Sequence, residues 1–213
     1  LMGAISATPW AIKGAIGVVS DAYPLLGYHK SSYILCVAVV GTAAFALLAG
    51  LDISSPTMAS VLFFFTNFEI ATCDLLCEGK YAEKMQEKPK TGSTMVSYVW
   101  GLIQFGSLVA ALFVGPIADA YNPQVIFWFC VPLAASVVVP TFLGYLGDQR
   151  VTNDRRGIDW PLLRKHPYVV AYSLIMAACA FGNGAVGVTM FDSHTAQVVY
   201  AVGAAVLLSV LAF

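Results

Sequence analysis

Long apolar runs separated by short polar breaks dominate the chain. Residues 32–51 contain no charged side chain, and neither do 93–118 or 122–147. Each run reaches the roughly 20 residues that cross a hydrocarbon core as a helix. A helix satisfies its own backbone groups within one segment, which is what lipid demands. Breaks at charges and at Pro/Gly clusters divide the sequence into seven predicted spans: about 1–20, 32–51, 57–78, 94–118, 122–146, 167–190 and 197–213. The pattern predicts an all-α, polytopic membrane protein. Apolar sequence already begins at Leu1 without a charged n-region or cleavage site, so the first run does not read as a signal peptide. The last run stops at Phe213 without a polar flank, and the expectation is an internal piece of a longer protein.

Composition agrees with this reading. The chain is 59% hydrophobic and 11% charged, with a mean hydropathy of +0.77, whereas soluble domains carry about 25% charged residues. The placement of charge says more than the net value of −1. Apart from Lys13, every Lys and Arg falls in one of three predicted loops: Lys30 in the first; Lys80, Lys84, Lys88 and Lys90 in the second; Arg150, Arg155, Arg156, Arg164 and Lys165 in the third. The alternate loops hold Asp52, Asp119 and Asp192 and no basic residue. This is the positive-inside pattern, and it puts the basic loops on the cytoplasmic side. The five cysteines all fall inside predicted spans without a CxxC spacing, so they read as small buried residues. No phosphate loop, nucleophile elbow, zinc signature or dinucleotide fingerprint appears, so no enzyme activity, cofactor, metal or nucleic-acid partner is expected.

Ionisable residues inside a span are expensive and need a reason. Lys13 interrupts PWAIKGAIGVVSDAY, residues 9–23. Its stem can snorkel toward the cytoplasm, or its ammonium can meet an acidic partner or an anionic ligand. The third span, FFFTNFEIATCDLLCEGKYAEK, supplies the partners. Asn67, Asp74 and Glu78 fall within about 20° of one line along a helix, while Glu69 points roughly 140° away from Asp74. A Lys13–Asp74 or Lys13–Glu78 ion pair is therefore expected to be within reach, and a carboxylate there can titrate. Glu78 also reads as the start of the polar segment that follows, EGKYAEKMQEKPK, whose alternating charges read as a solvated helix end weakly supported by the i,i+3 neighbours Lys80–Glu83, Lys84–Glu87 and Glu87–Lys90.

Two further patterns concern organisation. GVVSDAY at 17–23 recurs as GPIADAY at 115–121, each at the end of a span and three spans apart. An inverted three-helix repeat, of the kind nested in each half of major facilitator transporters, has this signature. The longest polar loop, 147–167, follows the fifth span as the central loop of such a transporter follows its sixth helix. Gly101, Gly106 and Ala110, and likewise Gly182, Gly184 and Gly187, are small residues that allow close helix approach or bending.

The turn after the first span, with Gly17, Asp21, Gly27, His29 and Lys30, resembles the major facilitator turn between helices 2 and 3. The longer pattern of Pro9, Trp10, Lys13, Gly17, Ser20, Asp21, Pro24, Gly27, Tyr28 and Tyr33 resembles the folate–biopterin transporter family. ATCDLLCEGKYAE and YVWGLIQFGSLVAALFVGPIAD are similar to that family's helices 4 and 5, so the likeness reaches over most of residues 1–120. His29 stands where the family has arginine, and Gly14 where it has proline. The resemblance implies a partial major facilitator fold covering about helices 2 to 8 of twelve. Residues 1–146 would be the N-terminal half without its first helix, 147–166 the central cytoplasmic loop, and 167–213 the first two helices of the other half. It further implies a lipid-embedded secondary transporter of folate- or pterin-like small molecules in a plasma or organellar membrane, coupled to protons as a symporter. Lys13, Asn67, Asp74 and Glu78 are then the substrate- or ion-coupling residues, and Gly17, Asp21, Gly27 and Lys30 form a gating turn. The rival expectation is a transport-inactive structural subunit bound to other membrane subunits.

Overall fold

A computed structural model describes residues 2–151, 157–189 and 194–211. Arg155, Arg156 and Asp192, which entered the charge pattern, lie outside the described residues. The described chain is helical: α1 (Met2–Ala11), α2 (Lys13–Ala22), α3 (Ser31–Gly50), α4 (Pro56–Glu87), α5 (Gly92–Ala120), α6 (Gln124–Ser136), α7 (Val138–Phe142), α8 (Trp160–Lys165), α9 (Pro167–Thr189) and α10 (His194–Leu211). Among the described residues, five helical segments are long and apolar enough to cross a membrane: Ser31–Gly50, Pro56–Glu87, Pro89–Ala120, Gln124–Phe142 and Pro167–Val186. The chain is a multi-pass membrane protein.

Of the remaining two of the seven predicted spans, one is shorter and the other is divided. The last is α10, whose apolar part, Gln197–Leu211, is shorter than the five. The first is divided into α1 and α2 at Ile12, whose backbone sits at φ −92°, ψ 5°. Pro9 lies three residues before the break, and its ring removes one helical N–H and crowds the preceding turn. The hydrogen bonds from Ile12 N to Thr8 O and from Ile16 N to Ile12 O, both 3.1 Å, carry the chain through the kink. The fifth span is likewise divided, at Val137 between Pro132 and Pro140. There the Thr141 hydroxyl donates back to the Val137 carbonyl at 2.8 Å, a bond that bends helices. The third span is longer than expected. At 32 residues α4 is about 48 Å long, against a hydrocarbon core of about 30 Å. Its charged end therefore projects from the membrane.

Helix α3 sits between α4 and α6. Ile34, Val37, Ala38, Gly41, Ala44 and Leu48 recur at helical spacing and are all buried. Ala44, Leu48 and Leu62 form a core to which Phe63 and Phe127 add a tilted ring pair, centroids 5.8 Å apart. Gln124 Nε2 donates to the Leu51 carbonyl at 2.8 Å, which ties the start of α6 to the end of α3. Helix α9 lies against the kinked pair, with Ser173 facing Gly14 and Thr8 facing Gly184. Gly182 faces Tyr200 of α10 so closely that a Cβ there would overlap the Tyr200 hydroxyl.

Helix α5 departs from expectation. Beyond Gly92 it buries no residue, and nothing lies within 4 Å of a Cβ built at Gly101 or Gly106. The small residues read as a packing face have no helix on them among the described residues. A small side chain permits close approach but does not supply the neighbour.

Both copies of the repeated motif end their helices in the same way. Tyr23 N donates to Val19 O and Tyr121 N to Ile117 O, each at 2.9 Å, and both tyrosines are in extended conformation. The Tyr33 hydroxyl reaches the Tyr23 carbonyl at 2.8 Å near the start of α3, whereas Tyr121 is three residues from Gln124 at its other end. The copies thus lie at opposite ends of α3.

Candidate functional site

Lys13 is the first residue of α2, so the kink at Ile12 sets the direction in which its stem leaves the helix. It points across to α4 and not along its own helix to the membrane surface. Its ammonium donates to Asp74 Oδ2 in a hydrogen-bonded ion pair, and Glu78 Oε2 lies 3.8 Å away. The same ammonium stands 4.8 Å from the ring centroid of Trp10, a cation–π distance. Trp10 in turn donates its indole N–H to Asn67 Oδ1 at 3.1 Å, and Asn67 Nδ2 donates to the Phe63 carbonyl at 2.9 Å. Asn67, Asp74 and Glu78 therefore share the face of α4 that meets α1 and α2, as their spacing predicts.

The cluster is half-buried: the side chains of Lys13, Asp74 and Glu78 are 21%, 33% and 38% exposed. One cation faces two carboxyls. With both acids ionised, the group carries an excess negative charge in a setting that screens it poorly. A proton, a cation or a rearrangement of the lysine can each relieve that excess. Among the described residues no group of three His, Cys, Asp or Glu is placed to hold a metal.

Glu69 occupies the opposite side of α4. It is buried in the α3 interface, with its carboxyl against Gly41.

The turn after α2 is held by partners that its own sequence does not reveal. Leu25 and Tyr28 pair across it, with Tyr28 N donating to Leu25 O at 2.9 Å. Leu26 and Gly27 both have positive φ, 51° and 85°, the combination of a type I′ turn. Gly17 packs on Leu75 of α4, and Asp21 lies in the last turn of α2. His29 Nδ1 is 2.9 Å from the Ser20 carbonyl. A carbonyl only accepts, so this nitrogen carries the proton.

Lys30 Nζ donates to Glu83 Oε1 on the projecting end of α4 at 2.5 Å. Glu83 also receives Lys80 at 2.9 Å, and Lys84 pairs with Glu87 at 3.0 Å. Lys90, expected as a third partner of this series, lies in the 3-10 turn Pro89–Thr91 beyond the helix.

The chain after α7 closes over this turn. Asp148 Oδ2 accepts from the backbone N–H groups of Lys30 and Ser31, at 2.8 and 2.9 Å. Val151 N donates to Gly27 O and Asp159 N to Ala22 O, both at 2.8 Å. Arg150 lies over Gly27. Asp159 then caps α8 by accepting from Leu162 N at 3.0 Å. Asp148, the bond from Lys30 to Glu83 and the bond from the Trp10 indole to Asn67 are the contributions that sequence reasoning did not find. The only signal for Asp148 was its place beside Gly147 at the end of a span.

These features define a class: a multi-pass helical membrane protein with a lysine–carboxylate cluster between α2 and α4 and a bonded turn at the end of α2. The BT1 family model matches residues 1–156, and the chain belongs to the BT1 family. It is 30% identical over 131 residues to a Synechocystis sp. protein named folate-biopterin transporter, a match covering 59% of this chain and 26% of the relative. It is 26% identical over 131 residues to an Arabidopsis thaliana protein named probable folate-biopterin transporter 4, covering 60% and 26%. The chain thus spans about a quarter of the length of these curated relatives. No solved structure matches it. The family resemblance read from the motifs holds, and the match runs past residue 120 through Asp148.

Proposed function

We propose that the chain is part of a secondary transporter for organic anions of the folate and pterin class, coupled to protons and working by alternating access. The observation that carries the reading is the Lys13 cluster, in which one half-buried ammonium faces two carboxyls and an aromatic ring. In this reading Lys13 exchanges Asp74 for a substrate carboxylate, and the released acid takes up the proton. Asn67 and Trp10 border the same space. Gly17, Asp21, Gly27 and Lys30 belong to a turn that makes and breaks its bonds to Asp148, Val151 and Asp159 as the protein opens. The helices correspond to helices 2 to 8 of a twelve-helix major facilitator arrangement, with 147–166 as the loop between its halves. The names of the relatives support the substrate class.

Uptake of labelled folate by the full-length protein in proteoliposomes, with and without an imposed pH gradient, tests this. The expected result is gradient-driven uptake that Lys13→Met abolishes. Uptake indifferent to Lys13→Met would overturn the role of the cluster. A second reading, a transport-inactive structural subunit, draws support from α5, which leaves its small-residue face uncovered. No uptake of folate or pterins by the intact protein would favour it.

A further inference from the structure

Glu69 is the most deeply buried acid among the described residues and takes no part in the Lys13 cluster. Its residue exposure is 3%. Oε2 is buried without a hydrogen-bond partner in the described structure. The carboxyl occupies the space that Gly41 of α3 leaves by having no side chain: a Cβ there would overlap both Oε2 and the Cβ of Glu69. The hydroxyls of Thr42, next to Gly41, and of Thr72, one turn beyond Glu69, are also buried without partners.

The elements packed on α4 offer no counter-charge. Helix α1 has no ionisable side chain, and α3 has only Tyr33 and Cys36, eight and five residues before Gly41. In α2, Lys13 is committed to Asp74, and Asp21 lies at the far end. In α5 the ionisable groups are Tyr98, near its start, and Asp119, near its end, and Lys90 lies in the 3-10 turn. On α4 itself, Cys73 is one turn away and Asp74 is on the other face. Glu69 forms no ion pair among the described residues. An ionised carboxylate here would leave Oε2 without water, cation or donor. A neutral acid can stay.

We propose that Glu69 is a proton-binding site distinct from the Lys13–Asp74 pair, its carboxyl held as the neutral acid in the notch at Gly41. The proton comes from water before the carboxyl is enclosed: an O–H bond forms on the carboxyl, and hydronium becomes water. Separation of α3 from α4 at Gly41 lets water in, and the proton returns to it. This inference stands on burial and packing and does not require the transport reading.

Infrared spectroscopy of the full-length protein at neutral pH reads the proton directly. Wild type should show the C=O stretch of a protonated carboxylic acid, Glu69→Gln should lose that band, and Asp74→Asn should keep it. The neutral amide should also leave thermal stability near wild type. If Glu69→Gln removes no such band, Glu69 is ionised, whether hydrated or holding a cation, and the proposal falls. Should Glu69→Gln fail to accumulate, Glu69→Asp keeps an acid: a shifted band supports the site, and an unchanged spectrum overturns it.

Discussion

The carboxylate of Asp148 caps a helix that begins more than a hundred residues earlier, accepting from the backbone N–H groups of Lys30 and Ser31 at 2.8 and 2.9 Å. The first turn of any helix leaves N–H groups unpaired, and a negative charge there is favoured by the helix dipole. Because the side chain of Lys30 also holds Glu83, this one residue joins the chain after α7, the start of α3 and the projecting end of α4. Asp148→Ala should therefore cost about 1 kcal/mol, while Asp148→Asn, whose amide oxygen still accepts, should keep most of the cap. The checks are the midpoint of thermal unfolding and the rate of limited proteolysis within 147–159. An alanine variant as stable and as protease-resistant as wild type would remove the cap from the account.

The Lys13 cluster is asymmetric, and the asymmetry is measurable. Removing Asp74 leaves the ammonium with Glu78, 3.8 Å away, and with the Trp10 ring. Removing Lys13 leaves two carboxyls with no cation. Lys13→Met should thus destabilise more than Asp74→Asn. The pair should show a coupling energy of about 1–3 kcal/mol in a double-mutant cycle of thermal stability. Equal single effects that simply add would mean that the ion pair contributes nothing specific.

Much of this cluster was legible because charges in apolar spans are few and a helix period fixes which of them share a face. Asn67, Asp74 and Glu78 could be aligned, and Glu69 set apart, from spacing alone. The kink could not be placed that way. Apolar side chains on both sides of Ile12 look alike, and Pro9 signals a disturbance without fixing its position. Helix α4 runs on to Glu87, past the span boundary at Glu78, and the i,i+3 charges that mark a solvated helix end in the sequence pair there as Lys80–Glu83 and Lys84–Glu87. Asp148 was out of reach for another reason. A polar residue in a loop has no periodicity, and nothing local marks a bond to Ser31.

Gly27 and Gly101 offer a contrast between backbone need and empty space. Gly27 has φ +85° within the turn, and its carbonyl takes the Val151 N–H. Gly27→Ala should cost about 1–2 kcal/mol from the left-handed backbone alone. Gly101 is helical, with nothing within 4 Å of an added Cβ. Gly101→Ala should be neutral or stabilise by up to about 1 kcal/mol through helix propensity. Parallel thermal melts of the two variants decide. A loss at Gly101 matching that at Gly27 would show that α5 packs against a surface outside the described chain.

Gly41 and Glu69 are predicted to be interdependent. A methyl group on Gly41 meets the Glu69 side chain at its Cβ and carboxyl together, and neither helix can yield without disturbing the nearby Ala44–Leu48–Leu62 core. Gly41→Ala should accordingly destabilise by about 1–3 kcal/mol, the usual range for overpacking. Glu69→Ala alone opens a void but removes a carboxyl that must otherwise be kept neutral, so its cost should be smaller than that of a fully apolar deletion of the same size. Combined, the methyl group introduced at position 41 fills part of the space that the carboxyl vacates. The double variant should then be more stable than Gly41→Ala alone and depart from additivity by about 1–3 kcal/mol. Thermal unfolding of the four proteins in one detergent measures the cycle. A double variant whose loss equals the sum of the single losses would mean that the two side chains do not share the notch.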